Sequence, residues 1–131
     1  MKKRRIISLT ILIVILFSIV SCIAMIGKNM EKEVAAIDET EAVSLSFVND
    51  GTYEGKAETT LVKAEVSVRV ENHKIVSIDI LRHDNGKGEN AEKIVGEMVK
   101  ENTSEVDIIT GATASSKVIR AAVRNALQKG I

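Results

Sequence analysis

The sequence predicts an α+β domain, a small antiparallel sheet with two packed helices, preceded by a single N-terminal membrane helix. Three patterns predict it: an apolar run over residues 6–26 behind a basic cluster, period-two alternation over residues 61–71 and again at Val76, Ile78 and Ile80, and helical spacing over residues 90–101 and from Ser115 onward. Hairpins dominate the expected order β-β-β-α-β-α, which is what separates α+β from a parallel α/β arrangement. The expected organisation is residues 1–27 as membrane anchor or lipoprotein signal, 28–48 as linker and 49–131 as the folded domain. With the anchor set aside, 131 residues leave room for one small domain with a modest core.

Residues 6–26 form a stretch of 21 residues without a charge, preceded by Lys2-Lys3-Arg4-Arg5. That length spans a bilayer, and the basic cluster is expected on the cytoplasmic side, which places the chain after Gly27 on the extracytoplasmic face. No polar face interrupts the run, against a buried core helix. Ile19-Val20-Ser21-Cys22 also fits a lipoprotein processing site at which Cys22 becomes the lipidated N-terminus. The apolar run continues through Ile23-Ala24-Met25-Ile26, where a mature lipoprotein turns polar, so an uncleaved anchor is favoured. Either route tethers the domain to the same face. As the one cysteine, Cys22 forms no internal disulfide; in a span it serves as a small apolar residue.

Residues 31–46 are rich in acidic and small residues and read as a spacer, with a juxtamembrane helix continuing the span as the alternative. The four basic residues at positions 2–5 belong to the anchor, leaving 14 basic against 18 acidic residues, a balance of −4. Such a balance argues against nucleic acid as a partner.

The globular part opens on the turn signal Asn49-Asp50-Gly51. Ala64, Val66, Val68 and Val70 alternate with Lys63, Glu65, Ser67 and Arg69, as in a strand with one wet face. Val76, Ile78 and Ile80 repeat this after Glu71-Asn72-His73-Lys74, giving an antiparallel hairpin. A helix over residues 90–101 turns Ala91, Ile94, Val95, Met98 and Val99 toward the sheet. Residues 106–109, β-branched at three of four positions, read as a further strand, and Val118, Ile119, Ala122, Val123, Ala126 and Leu127 mark the last helix. Lys117, Arg120 and Arg124 share one side of that helix and read as a solvated face.

Between that expected strand and helix lies Asp107-Ile108-Ile109-Thr110-Gly111-Ala112-Thr113. Gly111 opens backbone conformations closed to other residues, Ala112 adds little bulk, and Thr113 or Ser115 is placed to cap the helix. The unpaired first-turn N–H groups and the positive end of the helix dipole make the same turn a site for a phosphate or phosphodiester. Both readings, cap and anion site, stand on these residues alone.

The run Asp107-x-x-Thr110-Gly111-Ala112-Thr113 resembles the flavinylation motif Asp-x-x-(Ser/Thr)-Gly-Ala-Thr of the FMN-binding domain family, in which the last Thr carries FMN. Upstream, Asp50-Gly51-Thr52-Tyr53-Glu54-Gly55 resembles the family's opening Asp-Gly-x-Tyr-x-Gly, and the paired strands, His83 and the Gly86-x-Gly88 loop follow in order, so the resemblance covers roughly residues 49–129. Members include the peripheral flavin subunits of the sodium-pumping NADH:quinone reductase and Rnf complexes, and small membrane-tethered extracellular flavoproteins; this chain is similar to the last group. It departs from the family at His73, where Gly is usual, and in having no proline where a Thr-Pro-Gly run is common.

The resemblance implies FMN as a covalent cofactor on Thr113, with Thr110, Gly111, Ala112, Ser115, His83 and Gly86 around it. A threonine hydroxyl is a weak nucleophile, and no activating triad stands nearby in sequence, so attachment calls for a separate enzyme. The resemblance implies an FAD-dependent flavin transferase using Mg²⁺, which moves the FMN moiety to Thr113 and releases AMP. It would recognise Asp107, Thr110, Gly111, Ala112 and Thr113, with Asp107 a recognition residue or a metal contact during transfer. The alternative for Asp107 is a solvated strand-end carboxylate. His73 and His83 lack metal-ligand spacing, so no resident metal site is expected.

With no Trp, one Tyr and two Phe, of which Phe17 lies in the membrane segment, Tyr53 and Phe47 are the aromatic candidates to stack on the flavin, and the ring is expected to rest on aliphatic groups such as Leu81 or Met98. Tyr53 reads as core. The expected function is an extracytoplasmic electron carrier without a substrate of its own. It would take electrons from a membrane donor and pass them to a protein or extracellular acceptor. The alternatives are an accessory flavin subunit of a membrane redox pump and a non-redox envelope binding module.

Overall fold

The structure, a computed structural model, describes residues 2–39, 41–84 and 88–131, the side chains of Lys2, Arg4 and Arg5 excepted. It divides into two units, Met1–Lys32 and Glu33–Ile131. The first is formed by helix α1 (Lys2–Asp38), whose last turns belong to the second unit. Within the first unit the apolar side chains between Ile6 and Ile26 are exposed, Phe17 by 77%. The helix is long and apolar enough to cross a membrane. A signal sequence near the N-terminus has the same properties. Cys22 is free and exposed on this helix.

The second unit is built on three antiparallel strands, β1 (Gly51–Glu58), β2 (Lys63–Glu71) and β3 (Lys74–Asp84), in the order β1-β2-β3. Ala64, Val66, Val68 and Val70 are buried on one face of β2, as alternation predicts, while Lys63, Glu65, Ser67 and Arg69 alternate with them on the wetter face. The turn between β2 and β3 places Asn72 at φ 52° and His73 at φ 59°. Two consecutive left-handed residues joining paired Glu71 and Lys74 make a type I′ hairpin, whose twist matches the strands it connects. His73 tolerates the position usually held by Gly, and its Nδ1 lies 3.0 Å from the Val48 carbonyl.

Strand β3 departs from the expected simple alternation. Its register against β2 slips between Arg69 and Val70 and again between Glu65 and Val66, leaving Val76 and Leu81 without partners. These bulges reverse the side-chain phase. Ile75 takes the buried position, Val76 is 41% exposed, and Ile78 is buried.

A 3-10 helix (Glu89–Lys93) runs into α2 (Ile94–Glu101), and α3 (Thr113–Gln128) closes the fold. Ala91, Ile94 and Met98 are fully buried and Val95 and Val99 pack beside them, the face the spacing predicts. Helix α3 packs on β1 and β2, and α2 on β3, so the helices cover one face of the sheet. Close packing of α3 on β1 depends on Gly55, where a Cβ would stand 2.1 Å from the Ala122 carbonyl oxygen. Helix α2 ends at Asn102, left-handed at φ 55°, whose Oδ1 accepts the N–H of Ile75 at 2.8 Å.

Two expectations fail here. Residues 106–109 form no strand. β-Branched residues favour extended backbone, but a strand also needs a neighbour to exchange hydrogen bonds with; the Ile109 N–H goes instead to the Ser116 side chain at 3.1 Å. Nor is the expected spacer free chain; its first residues adopt the alternative, a juxtamembrane helix continuing the span. α1 continues through Asp38, Val34 and Val48 are buried, and Ile37, Val43 and Leu45 pack against the core. The Glu33 carboxylate accepts the backbone N–H of Thr60 at 2.7 Å and its hydroxyl at 2.8 Å.

Candidate functional site

The chain between α2 and α3 alternates in and out with a spacing near three. Val106, Ile109 and Ala112 turn toward the core, while Asp107, Ile108, Thr110, Gly111 and Thr113 face solvent. The inward groups fix the segment by burial; the outward ones form a continuous surface that ends at the first residue of α3.

Gly111 has φ +81°, and nothing lies within 4 Å of where its Cβ would be. The glycine is therefore required by backbone conformation rather than by crowding, and the turn is open to an approaching group. The Ala112 N–H donates to the Ile109 carbonyl at 3.0 Å, and the Ala112 carbonyl accepts the Ser116 N–H at 2.9 Å. Ser116, fully buried, also donates its hydroxyl to that carbonyl at 2.8 Å and accepts the Ile109 N–H.

Ala112 occupies the N-cap of α3 and no side chain caps it. This corrects the expected cap at Thr113 or Ser115: Thr113 is already in the helix and exposed, and Ser115 is buried one residue before Ser116. Ser116 ties the turn together from the fourth helical position instead. The first-turn N–H groups, left without a capping side chain, are the donors that an anion at the positive end of α3 would meet.

The basic side of α3 is also not the solvated face that its charges suggested. Arg124 is 0% exposed. Its guanidinium meets Asp38 Oδ1 at 3.2 Å and Glu105 Oε1 at 2.9 Å. Arg120 reaches Glu105 at 2.6 Å, and Lys117, one turn after Thr113, reaches Asp38 at 3.0 Å. Burying a guanidinium is costly unless it is paired, and here both carboxylates face it. Arg124 also donates to the Asp38 main-chain carbonyl at 3.3 Å, at the negative end of α1, where a cation is favoured. Burial alone would push the Glu105 carboxyl up; the bonds from Ser104 and Arg120 and the charges of Arg124 and Arg120 outweigh it and hold it below its ordinary range. Nothing in the sequence marked Asp38 or Glu105 for this role, since acids at helix ends and in loops usually face water. Ser116 had one weak signal, a serine four residues after the carbonyl that it bonds.

Other expected residues lie on other elements. His83 lies in β3 rather than past it, paired with Ala64; its side chain is 1% exposed, and Nδ1 stands 3.0 Å from Glu92 Oε1. It is not a solvated loop histidine. Gly86 lies outside the described residues. Met98 is sealed in the core, which removes it as a platform for a flavin ring, whereas Leu81 is exposed at a bulge. Tyr53 packs against the core, as expected, and donates its hydroxyl to the Asn49 carbonyl at 2.9 Å. Phe47 is exposed.

The sequence profile described as FMN-binding domain matches residues 60–128. That is just over half of the chain and takes in β2, β3, α2, the 107–113 turn and all of α3. No curated protein matches the chain.

Proposed function

The chain belongs to the FMN-binding domain family, and from that premise we propose that it is a membrane-tethered electron carrier holding one FMN covalently through Thr113. The observation that carries this reading is the exposed Thr113 at the uncapped start of α3, directly after the open turn at Gly111. Exposure suits modification by a separate enzyme, which must reach the hydroxyl. The first-turn N–H groups of α3 suit the phosphodiester that results. Ile108, 38% exposed within the same segment, offers an apolar contact to a ring. These residues fit the group that the family binds.

Attachment would be a phosphoryl transfer in which Thr113 Oγ attacks the phosphorus on the FMN side of FAD, so that an O–P bond would form as the bond to AMP breaks, AMP leaving and the hydroxyl proton passing to base or solvent. The flavin supplies reversible electron transfer when bound. An exposed site suits exchange between proteins better than a closed substrate pocket, in which water must be excluded. Asp107, Thr110, Gly111 and Ala112 are the surface that an FAD-dependent transferase would read. α1 is the tether, with the domain on the extracytoplasmic face, and a membrane donor and a protein or extracellular acceptor as partners.

The test is intact mass and visible absorbance of the full chain, co-expressed with a flavin transferase, beside Thr113→Ala. The expected result is a yellow protein heavier by one FMN less one water, with the variant colourless and unmodified. A colourless wild type, with the transferase shown active on another acceptor, would overturn the reading.

A further inference from the structure

Resting on that reading, we infer that Ser116 is the positioning residue for flavin attachment. Its hydroxyl closes the 107–113 turn from inside the protein and so presents Thr113 to the transferase.

The acceptor hydroxyl sits on a stretch with little regular structure. Residues 105–109 make no strand, and Gly111 removes the stiffness that a side chain would give. Such a segment samples many conformations unless something outside it fixes it. Ser116 is placed to do so. Its Oγ accepts the Ile109 N–H at 3.1 Å and donates to the Ala112 carbonyl at 2.8 Å, spanning the turn on both sides of Thr110 and Gly111. The bond to the Ala112 carbonyl is buried and the one from the Ile109 N–H is part-buried. With Ile109 and Ala112 held, the exposed residues Thr110, Gly111 and Thr113 are fixed relative to one another.

A serine that bonds back to the carbonyl four residues earlier slightly disfavours a helix by competing with the backbone. Here the same hydroxyl takes up an N–H that would otherwise lose its strand partner, and it does so beside the modified residue. Ser116 touches neither FAD nor the bond formed between Thr113 Oγ and phosphorus. Its effect is on where that oxygen stands when the bond to AMP breaks. A misplacement of about 1 Å is enough to cost roughly a hundredfold in such a step.

The experiment compares the rate at which the detergent-solubilised full chain takes up FMN from FAD, with Mg²⁺ and a limiting amount of transferase, for wild type, Ser116→Ala and Val123→Ala. Val123 is equally buried on α3 and far from the turn in sequence, so its variant reports the effect of lost stability alone. Ser116→Ala is expected to load at least about tenfold more slowly, and Val123→Ala at the wild-type rate. Loading of Ser116→Ala at the wild-type rate, or an equal slowing of both variants, overturns the inference. Should Ser116→Ala not accumulate, Ser116→Cys keeps the size with a weaker hydrogen-bonding group and is expected to load at an intermediate rate; wild-type loading by it overturns the inference too. A wild type that never loads removes the parent reading together with this one, whereas a loaded wild type with indifferent Ser116 variants removes this one alone.

Discussion

Arg124 and Asp38, 86 positions apart in the chain, meet at 3.2 Å, and the arginine is wholly buried where they do. The contact makes the last turn of α1 part of the folded domain. It gives a buried cation on the helix that begins at Thr113 one of its carboxylate partners, Glu105 being another.

Fragments that begin at Glu33 and at Asp50 should therefore differ in stability. Starting at Asp50 removes Asp38 from Arg124 and takes away buried Val34 and Val48. A fully buried valine contributes roughly 1.5–3 kcal/mol, and a buried charge that loses a partner adds to the deficit. The shorter fragment is expected to be less stable by about 3 kcal/mol or more in urea unfolding. Equal midpoints and slopes would show that the juxtamembrane segment is dispensable.

Gly55 and Gly111 should respond differently to alanine. At Gly55 the new Cβ would meet α3 backbone at 2.1 and 2.4 Å, so the helix has to shift, at a cost of about 1–3 kcal/mol or more. At Gly111 there is open space and only the left-handed φ opposes the change, costing about 1–2 kcal/mol. Flavin loading should follow the opposite order once each variant is assayed well below its Tm, with Gly111→Ala the more impaired, because it reshapes the exposed turn.

Asn102→Ala should destabilise the domain by about 1–2 kcal/mol. Asn102 is a left-handed C-cap, and its side chain accepts the Ile75 N–H at the start of β3. Asn102→Gly keeps the backbone conformation accessible and loses only the side-chain hydrogen bonds, from the Ile75 N–H and to the His73 carbonyl, so it should recover part of the loss. A thermal melt in which both variants match wild type would contradict the assignment.

Stability should fall as pH drops below about 4.5, the ordinary value of a Glu carboxyl. Glu105 is held below that value in the folded state. Its contribution is thus present above 4.5 and is lost as pH falls through the lower, folded value. Glu105→Gln should flatten that part of the profile in chemical denaturation at fixed temperature. An unchanged slope would mean that other carboxylates dominate.

Much of the fold was legible because burial periodicity is local. The alternation along β2 and the spacing of Ala91, Ile94 and Met98 needed no knowledge of neighbours. The alternation of β3 misled because a bulge is decided by the partner strand, so Val76 exchanged its expected place for that of Ile75. Residues 106–109 have the propensity of a strand and no strand to pair with.

By itself the sequence determined the α+β class, an N-terminal apolar helix, the β2–β3 hairpin and the Asp107-to-Thr113 segment that carries the family resemblance, since each rests on composition or spacing within a short stretch. Only the tertiary structure decided that α1 ends inside the domain, that Arg124 is buried between Asp38 and Glu105, and that Ser116 rather than Thr113 or Ser115 ties the turn. Those facts depend on which distant groups arrive beside one another. A carboxylate, a guanidinium or a hydroxyl looks alike in sequence whether water or protein satisfies it, and folding alone chooses between them.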